Sequence, residues 1–135
     1  MIEGEPLVPG SAEGPVLVLD APLSLWGGLD PATGTVADAR HPQHGHSIAG
    51  RILVMAGGRG SSSSSTILAE AARVGTAPAA IVLAVVDPVL VAGAIVAERL
   101  YGTRIPIVVV GSVDALRAGS RARVHDDGRI ELRSG

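Results

Sequence analysis

Ile52-Leu53-Val54-Met55-Ala56-Gly57-Gly58-Arg59-Gly60-Ser61-Ser62-Ser63-Ser64-Ser65-Thr66-Ile67-Leu68-Ala69-Glu70-Ala71-Ala72-Arg73-Val74-Gly75 is the stretch that decides the fold class of this chain. The apolar run Ile52 to Met55 reads as a buried strand. Gly57, Gly58 and Gly60 follow with backbone that can turn sharply and come close to a ligand, and the serines Ser61 to Ser65 stand where a helix must begin. Ile67, Leu68, Ala71, Ala72 and Val74 fall on one helical face, so a helix over Ser63 to Val74 is expected, closed by Gly75 as its left-handed cap. A flexible linker is the competing reading of a Gly/Ser run, but neither flank has room to be a separate unit. Strand, glycine turn and helix in this order match a small-anion site, with helix N–H groups facing the ligand and Arg59 adding positive charge.

Downstream, Ala79-Ala80-Ile81-Val82-Leu83-Ala84-Val85-Val86 is apolar on both faces, as a central parallel strand requires. Asp87 can cap a second helix with Pro88 at its first position, and Val89, Ala92, Val96 and Leu100 keep a helical period until Gly102. Ile105 to Val110 is the next buried strand. Ala122-Arg123-Val124-His125 and Arg129-Ile130-Glu131-Leu132 flank Asp126-Asp127-Gly128, a hairpin signature. Upstream, Val16-Leu17-Val18-Leu19 reads as a first strand, followed by a loop from Ala21 to Gly34 and a weakly patterned stretch from Thr35 to Gly50. Loops of that length in a compact domain are usually functional. The expected fold is α/β, a mixed sheet with a βαβαβ core and a C-terminal hairpin, forming one domain over residues 1–135.

Between Ala77 and Ala97 the only charge is Asp87, which invites a membrane reading. A carboxylate near the centre of a span costs about 2.5 to 3.5 kcal/mol, and Pro88 would break the helix. Two buried elements meeting at Asp87-Pro88 fit better. With 47% hydrophobic residues, no Phe, and Trp26 and Tyr101 as the only aromatics, the core must be built from small and β-branched aliphatics. All 11 basic residues are Arg against 13 acids, a net charge of -2 that argues against a nucleic-acid partner. The absence of Lys excludes a Walker-type phosphate loop and a Schiff-base lysine. The absence of Cys excludes disulfides, thiolate nucleophiles and Cys ligation of a cluster or zinc. Met1-Ile2-Glu3-Gly4-Glu5 lacks the basic and apolar regions of a signal peptide, so a cytoplasmic location without a membrane partner is expected.

A dinucleotide site fits poorly, because Gly58-Arg59-Gly60-Ser61-Ser62-Ser63 lacks the third glycine and Asp87 lies too far along to hold a ribose. His41, His44 and His46 lie within six residues and imidazole suits several metals, but the alternative is a solvated or substrate-facing loop. Asp30 and Asp87, each followed by Pro, read as turn and cap residues. Trp26 reads as a packing anchor for its loop or for a partner interface.

Taken together, Leu23-Ser24-Leu25-Trp26-Gly27-Gly28-Leu29-Asp30-Pro31-Ala32-Thr33-Gly34, Arg40-His41-Pro42, Gly58-Arg59-Gly60-Ser61-Ser62-Ser63, Gly75-Thr76-Ala77-Pro78 and Asp87-Pro88, in this order and spacing, resemble the small subunit of the aconitase X family. The resemblance covers about Pro6 to Val110. It implies a swivelling β/β/α domain, equivalent to the mobile fourth domain of aconitase, that closes over a site built by a separate large subunit. By the family motif Ser61 is the base that takes a proton next to a carboxylate, Ser62 and Ser63 with Gly60 bind substrate, and Arg59 contacts a carboxylate or supports the turn. The resemblance also implies no cofactor on this chain, and an iron or iron–sulfur centre on the large subunit that acts on the departing hydroxyl.

Two activities belong to the family: dehydration of cis-3-hydroxy-L-proline to Δ1-pyrroline-2-carboxylate, and dehydration of mevalonate 5-phosphate. A phosphate calls for extra basic groups, and only Arg59, with Arg40 and Arg51, is on offer, which favours the hydroxyproline reaction. A different class of function, a non-catalytic domain that binds a small anion or regulates a partner, remains the alternative.

Overall fold

The computed structural model describes residues 1–57 and 62–133. In chain order the elements are β1 (Gly4–Val8), β2 (Ala12–Val18), the short turn α1 (Leu25–Gly28), β3 (Leu29–Asp30), β4 (Thr35–Val36), β5 (Ile52–Met55), α2 (Ser64–Val74), β6 (Ala80–Leu83), α3 (Pro88–Tyr101), β7 (Ile107–Val110), β8 (Arg121–Val124) and β9 (Ile130–Arg133). Seven strands form one sheet in the order β1-β7-β6-β5-β2-β8-β9. Strands β2, β5, β6 and β7 run parallel, and β1, β8 and β9 add antiparallel. The expected mixed sheet with a βαβαβ core and a C-terminal hairpin is therefore present, with β1 as a strand that the sequence pattern did not announce.

The sheet also curls upon itself. The Ile2 N–H donates to the Ile130 carbonyl at 2.9 Å and the Ile130 N–H donates back at 2.8 Å, joining the two ends of the strand order. Gly128 makes this approach feasible: it sits at φ 91° in the hairpin turn, and a Cβ there would collide with the Gly4 carbonyl. Alternate residues of the parallel strands consequently feed two cores. Leu53, Met55, Ile81, Leu83 and Ile107 pack with Leu68, Leu90, Ala94 and Ala97 of the helices. Ile52, Val54, Ala80, Val82, Val108 and Val110 pack instead with Ala122, Val124 and Ile130 of the hairpin. Helices, parallel strands and curled-over hairpin make three layers, the β/β/α arrangement expected from the resemblance.

The helices meet closely because their facing side chains are small. The α2 face buries Ser64, Leu68, Ala69, Ala71 and Ala72, and full burial of one side chain such as Leu68 stabilises by about 1.5–3 kcal/mol. Val74, expected on that face, is exposed at the end of the helix. On α3 the buried stripe is Leu90, Gly93, Ala94 and Ala97, not the expected stripe of Val89, Ala92, Val96 and Leu100. A helix apolar on most sides offers two stripes of similar period, and close packing selects the one with the smaller residues. At Gly93 a Cβ would stand 2.9 Å from the Ser65 carbonyl and 3.2 Å from the Leu68 Cβ. The first turn of α2 therefore rests on α3 at its narrowest residue.

Asp87 caps α3 as anticipated, its Oδ1 accepting from the Val89 N–H at 3.0 Å and the Leu90 N–H at 3.3 Å, with Pro88 at the first position. The apolar stretch around it is thus a strand and a helix. No helix among the described residues is long and apolar enough to cross a membrane.

Two stability measurements check this account. Asp87→Ala should cost about 1 kcal/mol in urea unfolding, and Asp87→Asn, which keeps the acceptor, clearly less. Gly93→Val should cost about 1–3 kcal/mol through overpacking against the Ser65 backbone; an unchanged or raised midpoint would mean that the two helices are not in this contact.

A candidate active site at the serine turn

The serine turn leaves the carboxyl end of β5, where open α/β sheets bind ligands. Arg59, Gly60 and Ser61 lie outside the described residues. Ser62 is exposed and Ser63 half-buried. Both give their carbonyls to the start of α2: the Ser62 carbonyl accepts from the Ser65 N–H at 3.3 Å and from the Ser65 hydroxyl at 2.9 Å, and the Ser63 carbonyl from the Thr66 N–H at 3.1 Å. Ser63 occupies the cap position, but its side chain makes no capping bond to the helix. The helix begins at Ser64 with no acidic side chain in its first turn. Its dipole, worth about 0.3–1 kcal/mol to a nearby anion, is therefore not answered by the helix's own residues.

Ser64 has a role that the sequence did not reveal. It is 4% exposed, and its Oγ accepts the Trp26 N–H at 3.2 Å. The bond ties the serine turn to the segment after β2. The start of the turn is held on its other side as well, since the Ala56 carbonyl accepts from the Ala84 N–H at 3.0 Å and the Val85 N–H at 2.9 Å.

The segment bonded to Ser64 also walls an open cleft of about 540 Å³, formed by segments 21–28 and 38–42. His41 fastens the walls together. It is 7% exposed; its Nε2–H donates to the Ala21 carbonyl at 2.8 Å and its Nδ1 accepts the Gln43 N–H at 3.0 Å. Gln43 in turn bonds the Asp20 backbone N–H at 2.9 Å and its carboxylate at 2.7 Å. The Ala37 N–H donates to the Gly28 carbonyl at 2.8 Å, and the Asp38 Oδ1 accepts the Arg40 N–H at 2.9 Å, shaping the second wall. Asp30, read as a turn residue, does the same for the small β3–β4 hairpin, its Oδ1 accepting the Ala32 N–H at 3.0 Å.

The three histidines do not form a metal set. Both ring nitrogens of His41 are committed to backbone groups, whereas His44 and His46 are exposed. Among the described residues no three His, Cys, Asp or Glu side chains are grouped to hold a metal ion. An iron or cluster therefore does not fit the described part of this chain. Of the two further arginines, Arg40 lines the cleft, whereas Arg51 precedes β5 and lies at the strand's other end.

Displaced carboxylate titrations lie outside the cleft and at the surface. The Arg73 guanidinium holds Glu70 below its ordinary value, the Arg129 backbone N–H and guanidinium do so for Asp127, and a hydrogen bond from His125, with Arg133 nearby, does so for Glu131. Apolar side chains, by contrast, stand exposed at the rim of the site. Trp26 is 58% exposed, so its ring does not anchor its own loop, and Val85 is 63% exposed beside Gly57.

The family described as aconitase X swivel domain matches residues 1–132. A Pseudomonas aeruginosa protein named cis-3-hydroxy-L-proline dehydratase is 47% identical over 127 residues; the match takes in 93% of this chain and only 22% of that protein's length. A Methanothermobacter thermautotrophicus protein named phosphomevalonate dehydratase small subunit is 48% identical over 88 residues, 65% of this chain and 67% of that one. The structure of aconitase X from Thermococcus kodakaraensis, in its holo form, superposes with a TM-score of 0.88 at 38% identity, covering 97% of this chain and 96% of that one. The superposition of the whole fold and the match along nearly the whole length agree, and the chain belongs to the aconitase X swivel-domain family.

Proposed function

We propose that this chain is the small subunit of a two-chain hydro-lyase that removes water from a hydroxylated acid, with cis-3-hydroxy-L-proline as substrate and Δ1-pyrroline-2-carboxylate as product. The observation that carries the substrate choice is the 47% identity, held over nearly the whole chain, to a relative named for that reaction. The shortage of cations supports it, since Arg40 is the one arginine among the described residues lining the cleft. The two-chain form draws on the relative named as a small subunit.

In this reading Ser61 is the base. It takes the proton from the carbon next to the carboxylate, the electron pair of that C–H bond forms the new C=C bond, and the hydroxyl on the neighbouring carbon leaves with the C–O pair and takes up a proton to become water, balanced by the proton that Ser61 later releases. The resulting enamine shifts a proton to give the ring imine. Helix N–H groups and Arg59 stabilise the oxygen that accepts the proton, and Ser62 and Ser63 hold the substrate in register. A metal centre held by the large subunit would help the hydroxyl depart, and the chain alone would then be inactive. Mevalonate 5-phosphate is the second reading, favoured by the relative from Methanothermobacter thermautotrophicus.

The test is reconstitution. The two chains, purified separately and then combined, should consume cis-3-hydroxy-L-proline only in combination; consumption of mevalonate 5-phosphate instead would select the second reading, and neither would leave a binding or regulatory domain. In the active complex Ser61→Ala should lower kcat about 10²–10⁴-fold, the range for a positioned general base. Full activity of that variant would remove Ser61 from the chemistry.

A further inference from the structure

The cleft between segments 21–28 and 38–42 carries two opposite charges that nothing in the described structure neutralises. Arg40 and Asp38 both line it, and among the described residues neither takes part in an ion pair, with each other or with any other side chain. The arginines that do pair, Arg73, Arg104, Arg129 and Arg133, lie outside this cleft. One Asp38 oxygen is occupied by the Arg40 N–H, which fixes the carboxylate at the turn and leaves the second oxygen for a ligand. The walls around this pair are held by buried groups: His41 bonds the Ala21 carbonyl, and Ser64 bonds the Trp26 N–H. One wall of the cleft is thus bonded, through Trp26, to Ser64 at the start of α2.

We propose that this cleft binds the amino-acid end of a cyclic hydroxy amino acid, Arg40 taking its carboxylate and Asp38 its ring ammonium. A guanidinium grips a carboxylate through two parallel N–H bonds, and a carboxylate accepts from a secondary ammonium with charge assistance. A ligand carrying both groups on adjacent atoms satisfies both side chains at once. A ligand with a second anion in place of the ammonium, such as a phosphorylated hydroxy acid, sets that anion against Asp38. The pair therefore acts as a selector for zwitterions, which is a property neither of the serine turn nor of a metal. The inference deepens the dehydratase reading above and rests on it for the identity of the hydroxylated acid, but the recognition itself is independent of turnover.

The experiment is calorimetric titration of the reconstituted two-chain complex with L-proline and, separately, with tetrahydrofuran-2-carboxylate, the same ring acid without the amine. The complex should bind proline at least tenfold more tightly. Asp38→Asn keeps the acceptor for the Arg40 N–H and removes only the charge; it should abolish that preference while leaving the thermal midpoint unchanged. Arg40→Met should weaken both ligands at least tenfold. Retention of the preference in Asp38→Asn, or unchanged affinity for both ligands in Arg40→Met, overturns the proposal. Dehydration of cis-3-hydroxy-L-proline by the same complex is scored apart: its absence beside a preference that follows Asp38 defeats the dehydratase reading and leaves the zwitterion site standing.

Discussion

The hydrogen bond from the Trp26 N–H to the Ser64 hydroxyl is the contact on which the geometry of the candidate site depends. Its acceptor is buried, so losing the donor would leave a polar group unpaired in the interior at a cost of about 1–3 kcal/mol. His41 is the other buried polar side chain among the described residues, and it bonds the Ala21 carbonyl at the far end of the same segment. A loop with no place in the main sheet is thereby pinned at both ends, once to a helix and once to a neighbouring loop. The segment from Ala21 to Trp26 cannot shift against Ser64 or His41 without breaking one of these bonds. The Trp26 backbone is committed inward while its ring faces outward, which leaves the indole at the rim of the site.

The sheet supplies the platform for that assembly. Parallel strands β2, β5, β6 and β7 send their following loops to one end, and the loops after β2, β5 and β6 are those that carry Trp26, the serines and Asp87. The Ala56 carbonyl stitches the second of these loops to the third. Curling of the sheet lets the hairpin cover the face that the helices do not, so both faces of β5 are dry without a second layer of helices. A core lacking large aromatic side chains is compatible with this because the layers sit close together, down to the backbone at Gly93. The aliphatic composition and the close helix packing are one constraint seen at two levels.

Much of this was legible in the residues. The strand Ile52–Met55, the helix up to its Gly75 cap, the Asp87 cap and the Asp-Gly hairpin each rest on local chemistry that tertiary context left intact. β1 was not legible, because Gly4-Glu5-Pro6-Leu7-Val8 carries a proline and only Val8 is fully buried, as befits a strand whose pairing with β7 shifts register within it. The buried stripe of α3 differs from the most hydrophobic one because periodicity ranks residues by hydrophobicity, and the selecting factor here is size. Ser64 and His41 were invisible as structural pins for a different reason. Their partners are backbone groups of Trp26 and Ala21, 38 and 20 residues away, and no side-chain pattern records a bond to a main-chain atom. The short β3–β4 hairpin is hidden inside a loop for want of length, although Asp30 before Pro31 marks its turn.

On the proposed reading the site is one half of a whole, and its electrostatics explain why the division is workable. Two unit charges 4 Å apart interact by about 1 kcal/mol in bulk water and by about 4 kcal/mol at an effective dielectric near 20. Arg40 and Asp38 are exposed on this chain alone, so each contact they offer a ligand sits near the weaker limit. Covering the cleft with a second protein surface moves both toward the stronger one and at the same time expels the water that competes for the base. The exposed Trp26 and Val85 at the rim are suited to such a cover, since burying them is favourable where burying further charges would not be. Weak capture in the open state and firm discrimination in the closed state then follow from one movement. A domain that swivels can hold the substrate loosely while open, commit it on closing and release product on opening, with no change in the bonds that keep its own loops in place.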